Sequence, residues 1–178
     1  MAILVAVPDS VLWLLENNPT ACANLRREAQ SHGVAGERLV FAPMIDLAPH
    51  LARFTLADLY LDSLPYNGHT TASDALWSGV PVLTRRGTAF AGRVAASLLK
   101  AIGLPELVAE TPEQYQSIAL SLAGDPSRLR ALKDKLAANR RATPLFDAAG
   151  FTRNIESAYA RLMELFHQGV APRSFRVE

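Results

Sequence analysis

The sequence predicts an α/β fold, a doubly wound, mainly parallel sheet with a helical C-terminal end. Three observations lead there. Short apolar runs alternate with helix-period segments as far as Ala109, the pattern of strand–helix–strand units. From Thr111 onward the strand pattern vanishes and only helical periodicity remains. The length of 178 residues suits one domain rather than two.

The elements follow from local chemistry. Ser10 to Leu15 (SVLWLL) is the first strand, ended by the Asn17-Asn18-Pro19 turn. A helix spans roughly Ala21 to His32 and stops at Gly33. Arg38 to Phe41 is the second strand, closed by Pro43. Asp46 to Phe54 reads as a short helix with Leu47, Leu51 and Phe54 on one side, spaced i, i+4, i+7. Leu59 to Leu61 is a third strand, Thr70 to Ser78 a helix closed by Gly79, and Pro81 to Thr84 a fourth strand. Ala91 to Ile102 is a helix with Gly103 at its C-cap, and Glu106 to Ala109 is the fifth strand of what is expected to be one sheet. Three helices complete the chain. The first starts at Pro112 with a stripe of Tyr115, Ile118, Ala119 and Leu122. The second, Pro126 to Arg141, turns Leu129, Leu132 and Leu136 inward. The third, Phe151 to His167, is expected to bury Phe151, Ile155, Tyr159, Leu162 and Phe166, with a loosely held tail from Gly169.

Composition narrows the function classes. Hydrophobic residues make up 49% and charged residues 20%, a globular balance. A net charge of +1 gives no electrostatic footprint for nucleic acid or an anionic membrane, so neither is expected as a partner. The single cysteine, Cys22, excludes an internal disulfide and reads as a small buried residue. No apolar run approaches the roughly 20 residues of a membrane span, and MAILVAVPDS has no basic leader or cleavage site, so the expected location is cytoplasmic. The 15 Arg against 3 Lys, with 29 Ala, point to GC-rich codons and a bacterial source.

In open parallel sheets, ligands bind beyond the carboxyl ends of the strands, where helices present their N-termini. The strand LYLDS, the loop Leu64-Pro65-Tyr66-Asn67-Gly68 and the helix start His69-Thr70-Thr71-Ala72-Ser73-Asp74 occupy that position. Gly68 permits close approach of a ligand to the backbone. Unpaired amides and the hydroxyls of Thr70 and Thr71 suit phosphate oxygens, with His69 as a further donor. Asp74 shares their helix face and suits ribose hydroxyls. The competing explanation is a capping box made by Thr71 and Asp74, but a plain cap needs neither an imidazole nor two hydroxyls. His50 and Arg53, i and i+3 on a helix that also follows a strand's carboxyl end, either reach the same crevice to meet a base or are solvated surface. Arg85-Arg86 reads as a surface loop able to assist a phosphate, and His32 and His167 as helix-end residues that complement the dipole.

The segment GHTTASDALWSGVPVLT, Gly68 to Thr84, resembles the nucleotide-sugar motif of O-linked N-acetylglucosamine transferases, the bacterial and SPINDLY-like group of GT-B glycosyltransferases. The likeness continues in VPDSVLWLL (Val7 to Leu15), RLVFAP (Arg38 to Pro43), HLARFTLADLYLDS (His50 to Ser63), GRVAASLL (Gly92 to Leu99) and TPLF (Thr143 to Phe146), in order along nearly the whole chain. It implies that residues 1–178 are the Rossmann-like C-terminal lobe that holds the UDP of UDP-GlcNAc, with 111–178 as its helical part. Thr70 and Thr71 would take the diphosphate beside His69, Asp74 the ribose, and His50 and Arg53 the uridine. The resemblance further implies transfer of GlcNAc to Ser or Thr hydroxyls of a protein acceptor, with no cofactor and no metal. Two departures stand out. Where the family often has a lysine three residues before the histidine matching His50, this chain has Leu47. The family's phosphate-binding lysine, first lobe and tetratricopeptide repeats lie before the stretch matching Ala2 to Leu15, so the chain reads as a fragment without its own catalytic residues.

Three other readings of the residues compete with this one. A receiver domain would use Asp62, at the end of DLYLDSLP, as phosphoacceptor with Asp9 as an acidic partner, but Asp9 has no acidic neighbour and the expected lysine is missing. A noncatalytic nucleotide-binding or scaffold module keeps the pocket without the chemistry. A GDP-fucose-dependent relative changes the base and the sugar.

Overall fold

A computed structural model describes Met1–Val177. In chain order its elements are α1 (Ala2–Ala6), β1 (Leu12–Glu16), α2 (Pro19–Ser31), β2 (Leu39–Pro43), α3 (Leu47–Phe54), β3 (Tyr60–Leu61), α4 (Thr70–Trp77), β4 (Val82–Arg85), α5 (Val94–Ala101), β5 (Val108–Ala109), α6 (Pro112–Gly124), α7 (Pro126–Ala142) and α8 (Ala148–His167). The helix starts are chemically explicit. Asn18 accepts from the amides of Thr20 and Ala21 with Pro19 in the first turn, Thr111 accepts from Gln114 ahead of Pro112, and Asp125 accepts from Ser127 and Arg128 ahead of Pro126. Gly79 and Gly103, at φ +88° and +75°, end α4 and α5 in a left-handed conformation that a β-carbon would strain.

Every strand pair is parallel. The expectation of one five-stranded sheet is corrected, however: β1 and β2 form one sheet, and β3, β4 and β5 another, in that order. Strand–helix alternation specifies parallel pairing, but nothing local in the sequence says which strands are neighbours. No strand follows Ala109 among the described residues.

Two apolar clusters match the two sheets. The larger gathers Leu76, Val82, Leu99, Ile102, Leu104, Leu122, Leu132 and Leu136 from α4 through α7. The smaller packs Leu4, Ala29, Val34 and Leu39. Arg38 ties α1 to the smaller sheet, donating from Nε to the Ser10 carbonyl at 2.8 Å and from Nη2 to the Leu4 and Val7 carbonyls at 2.7 Å.

On the shared side of α3, Leu51 and Phe54 are half-buried while Leu47, at the first position of the helix, is 65% exposed. One expected burial fails. On α8 all five residues of the apolar stripe are 37 to 74% exposed, and only Leu165 is buried. The stripe is amphipathic in sequence, but within the described chain its residues stay exposed. No described helix is long and apolar enough to cross a membrane.

Candidate functional site

The site is built where β3 ends. Asp62 follows the strand and is 8% exposed. Its Oδ1 accepts the Gly68 amide and its Oδ2 the Thr84 hydroxyl, both at 2.6 Å, so the first residue after β3 clamps the loop to β4. The Tyr115 hydroxyl donates to the Asp62 carbonyl at 3.0 Å. Burial, then the neighbouring Asp62 and Tyr60, push the Tyr115 phenol well above its ordinary value. Asn67 is turned inward: its Nδ2 donates to the Ser63 carbonyl and its amide to the Ala91 carbonyl, both at 2.9 Å. The 62–69 loop, which includes a cis Leu64–Pro65 bond, is thereby held from both sides.

This loop delivers the start of α4. His69 is the N-cap, and no side chain caps the helix. The first intrahelical bond runs from the Ser73 amide to the His69 carbonyl, leaving the preceding amides of Thr70, Thr71 and Ala72 pointing out of the helix end. The capping box of Thr71 and Asp74 does not form. Thr71 instead shares a hydrogen bond with the Tyr60 hydroxyl, Oγ1 to Oη 3.0 Å. Burial raises the Tyr60 phenol, opposed by this bond and reinforced by Asp62.

Gly68 has a different reason from the one expected. A β-carbon there would lie 2.7 Å from Tyr60 Oη and 2.8 Å from Thr71 Oγ1. It is the protein's own hydroxyls that crowd this backbone. His69 stacks on Tyr66 with ring centroids 4.8 Å apart, and its Nε2 lies 3.4 Å from the Ala91 carbonyl. With Nε2 donating there, the neutral ring presents Nδ1 as an acceptor.

His50 and Arg53 are half-buried rather than loose on the surface. Arg53 donates from Nε to His50 Nδ1 at 3.2 Å and from Nη1 to the Pro43 carbonyl at 2.7 Å, and its guanidinium lies 5.8 Å from the Trp13 ring centre. With Nδ1 accepting, His50 carries its proton on Nε2 as a donor. His50, Arg53, Tyr60 and Thr71 line one cleft of about 700 Å³ between the two sheets. Gly68, His69 and Thr70 immediately precede Thr71 in the chain and do not line the cleft. Asp74 sits one turn further along α4, half-buried, and does not line the cleft.

Arg85 lines a separate hollow of about 360 Å³ with Asp62, Leu64 and Tyr115, while Arg86 pairs with Glu110 at 2.9 Å. His32 Nδ1 lies 2.9 Å from the Glu28 carbonyl at the end of α2, and Cys22 is buried. No group of three His, Cys, Asp or Glu side chains among the described residues is placed to hold a metal ion. Asp62, spent on Gly68 and Thr84, is not an accessible phosphoacceptor. Sequence reasoning missed the clamp role of Asp62, because its partner Thr84 is 22 residues away. It also missed Tyr60 and Trp13, whose only signal was membership of apolar strands.

Comparison with known proteins identifies the family of the chain. The family model described as glycosyl transferase family 41 matches residues 1–155. The probable UDP-N-acetylglucosamine–peptide N-acetylglucosaminyltransferase SEC of Arabidopsis thaliana is 38% identical over 98% of this chain, which spans 18% of that relative. The UDP-N-acetylglucosamine–peptide N-acetylglucosaminyltransferase of Caenorhabditis elegans is 36% identical over 94% of the chain and 15% of the relative. Among solved structures, a mutant O-GlcNAc transferase of Thermobaculum terrenum superposes with a TM-score of 0.83 at 39% identity, over 90% of this chain and 31% of that one. The chain thus covers less than a third of each of these proteins. With the GT-B Rossmann-like fold and a match over most of its length, the chain belongs to glycosyl transferase family 41.

Proposed function

We propose that residues 1–178 are the UDP-binding part of a cytoplasmic protein O-GlcNAc transferase that uses UDP-GlcNAc and modifies Ser or Thr hydroxyls. The observation that carries this reading is the uncapped start of α4, where free amides and the Thr70 and Thr71 hydroxyls stand at the carboxyl end of β3. Sugar transfer breaks the bond between the anomeric carbon and a diphosphate oxygen, and negative charge grows on the departing UDP. Helix amides and hydroxyls fixed in advance stabilise that charge better than water can. His69 stands next to the phosphates, Asp74 takes the ribose, and His50 Nε2 with the Arg53 guanidinium faces the base. Nothing in this assignment calls for a metal or a cofactor. The names of the relatives support the same donor and a protein acceptor.

The small share of each relative that the chain spans favours a second reading, nucleotide binding without transfer by residues 1–178 alone. Calorimetric titration with UDP, UDP-GlcNAc, GDP and GDP-fucose, beside a transfer assay on a Ser/Thr peptide, separates the possibilities. UDP and UDP-GlcNAc are expected to bind in the micromolar to millimolar range, about −8 to −4 kcal/mol. Preference for GDP and GDP-fucose would overturn the donor assignment. Binding without transfer would leave the chain as a nucleotide-binding module.

A further inference from the structure

Tyr60 and Thr71 each bring one hydroxyl to the cleft, and the two meet, Oγ1 to Oη 3.0 Å. Among the described residues this is the one hydrogen bond of either side chain. A hydroxyl carries a single proton, so the pair has two arrangements. If Thr71 donates to Tyr60, the threonine proton is spent and its oxygen shows only lone pairs to the cleft. If Tyr60 donates to Thr71, the threonine keeps its own proton for a ligand.

The chemistry of the two groups selects the second arrangement. A phenol is far more acidic than an aliphatic alcohol, and its lone pairs delocalise into the ring. It is therefore the better donor and the poorer acceptor. Burial holds the Tyr60 phenol above 10.0, so its proton is in place at neutral pH. Anionic phosphate oxygens accept hydrogen bonds and do not donate them, so a diphosphate needs Thr71 to donate outward.

The two side chains also differ in how firmly they are held. Tyr60 belongs to β3, with its amide donating to the Pro81 carbonyl at 2.9 Å and its ring centre 6.5 Å from that of Phe54. Thr71 is exposed in the first turn of α4, and threonine in a helix divides between two rotamers. The bond to Tyr60 fixes one of them. Gly68 lets the pair close, because a β-carbon there would lie 2.7 Å from the phenol oxygen and 2.8 Å from the threonine oxygen.

We propose that Tyr60 is a positioning residue for the nucleotide diphosphate, donating its proton to Thr71 Oγ1 and so turning the Thr71 proton out to a phosphate oxygen. This role rests on a diphosphate at the start of α4 and adds to it the group that orients its donor. A hydroxyl oriented before the ligand arrives lowers the ordering cost of binding.

The test is calorimetric titration of UDP and uridine into the 178-residue chain, Tyr60→Phe, Thr71→Val and Thr71→Ser, and into the two double variants that add Tyr60→Phe to a Thr71 substitution. Tyr60→Phe should weaken UDP about three- to tenfold and uridine by less than about twofold. Valine keeps the shape of threonine without its hydroxyl. Thr71→Val should therefore bind UDP more weakly, and adding Tyr60→Phe to it should cost no further affinity. Thr71→Ser keeps the hydroxyl, so adding Tyr60→Phe should again weaken UDP about three- to tenfold. Unchanged UDP affinity in Tyr60→Phe, equal weakening of UDP and uridine, or the same loss on the valine and serine backgrounds would overturn the role of Tyr60. A tyrosine that merely supports the fold would give one of those results. If the unsubstituted chain binds UDP no more tightly than uridine, the diphosphate site itself falls and the role of Tyr60 with it. That failure is visible before any substitution is made.

Discussion

Replacing Gly68 with alanine should disturb the fold and the site together. The added β-carbon would stand 2.7 Å from Tyr60 Oη, 2.8 Å from Thr71 Oγ1 and 3.3 Å from Ala72 Cβ. The backbone cannot recede, because the Gly68 amide is held by Asp62 at 2.6 Å. Overpacking of this kind costs about 1–3 kcal/mol. The lower entropy of the unfolded alanine chain offsets about 0.4–1 kcal/mol of that. A net loss of about 1–2 kcal/mol is expected, about 2–4 °C in Tm for each kcal/mol at this chain length. Urea unfolding of Gly68→Ala, alone and on a Tyr60→Phe background, measures it. Phenylalanine removes one of the two obstructing oxygens, so the alanine should cost less there by at least about 0.5 kcal/mol. UDP affinity should fall with the single change, since Thr71 is displaced. A loss below about 0.5 kcal/mol, or the same loss on both backgrounds, would refute this packing.

Two further outcomes follow from burial. Leu99→Ala, at a fully buried position, should cost about 2–5 kcal/mol in urea unfolding, whereas Leu162→Ala, 48% exposed on α8, should stay within about 1 kcal/mol. A larger cost at Leu162 would mean that the α8 stripe is covered. Alkaline stability should depend on Tyr115, whose phenol is raised above its ordinary value of 10.0. Its contribution is fully present below pH 10 and is lost above it, as the unfolded chain ionises first. Tyr115→Phe should therefore flatten the fall of stability above pH 10, and equal slopes in the two proteins would contradict the buried phenol.

Much of the layout was legible because it is local. Asn18, Thr111 and Asp125 start helices through their own side chains, and Gly33, Gly79 and Gly103 stop them through their own backbone. The residues from Asn67 to Asp74 are contiguous, so their concentration at one helix start could be read directly. What escaped depends on partners far along the chain. Asp62 acquires its role only when Thr84 arrives on β4. His50 and Arg53 acquire order from Pro43 and come to lie beside Trp13. Periodicity showed that α8 has an apolar face, but coverage of that face is a property of the whole assembly. The division into two sheets escaped for the same reason, since strand neighbours are chosen by topology.

The most direct measurement is a paired calorimetric titration of UDP and uridine into the chain and its Thr70→Ala/Thr71→Ala variant. No side chain caps α4 and Thr71 bonds Tyr60, so these residues are not there to cap the helix. Charge-assisted contacts to phosphate and contacts to the nucleoside are separable parts of one ligand. UDP binding should be lost in the variant while uridine binds nearly as before. Equal weakening of UDP and uridine, or UDP binding untouched by both substitutions, would contradict a diphosphate site at the start of α4.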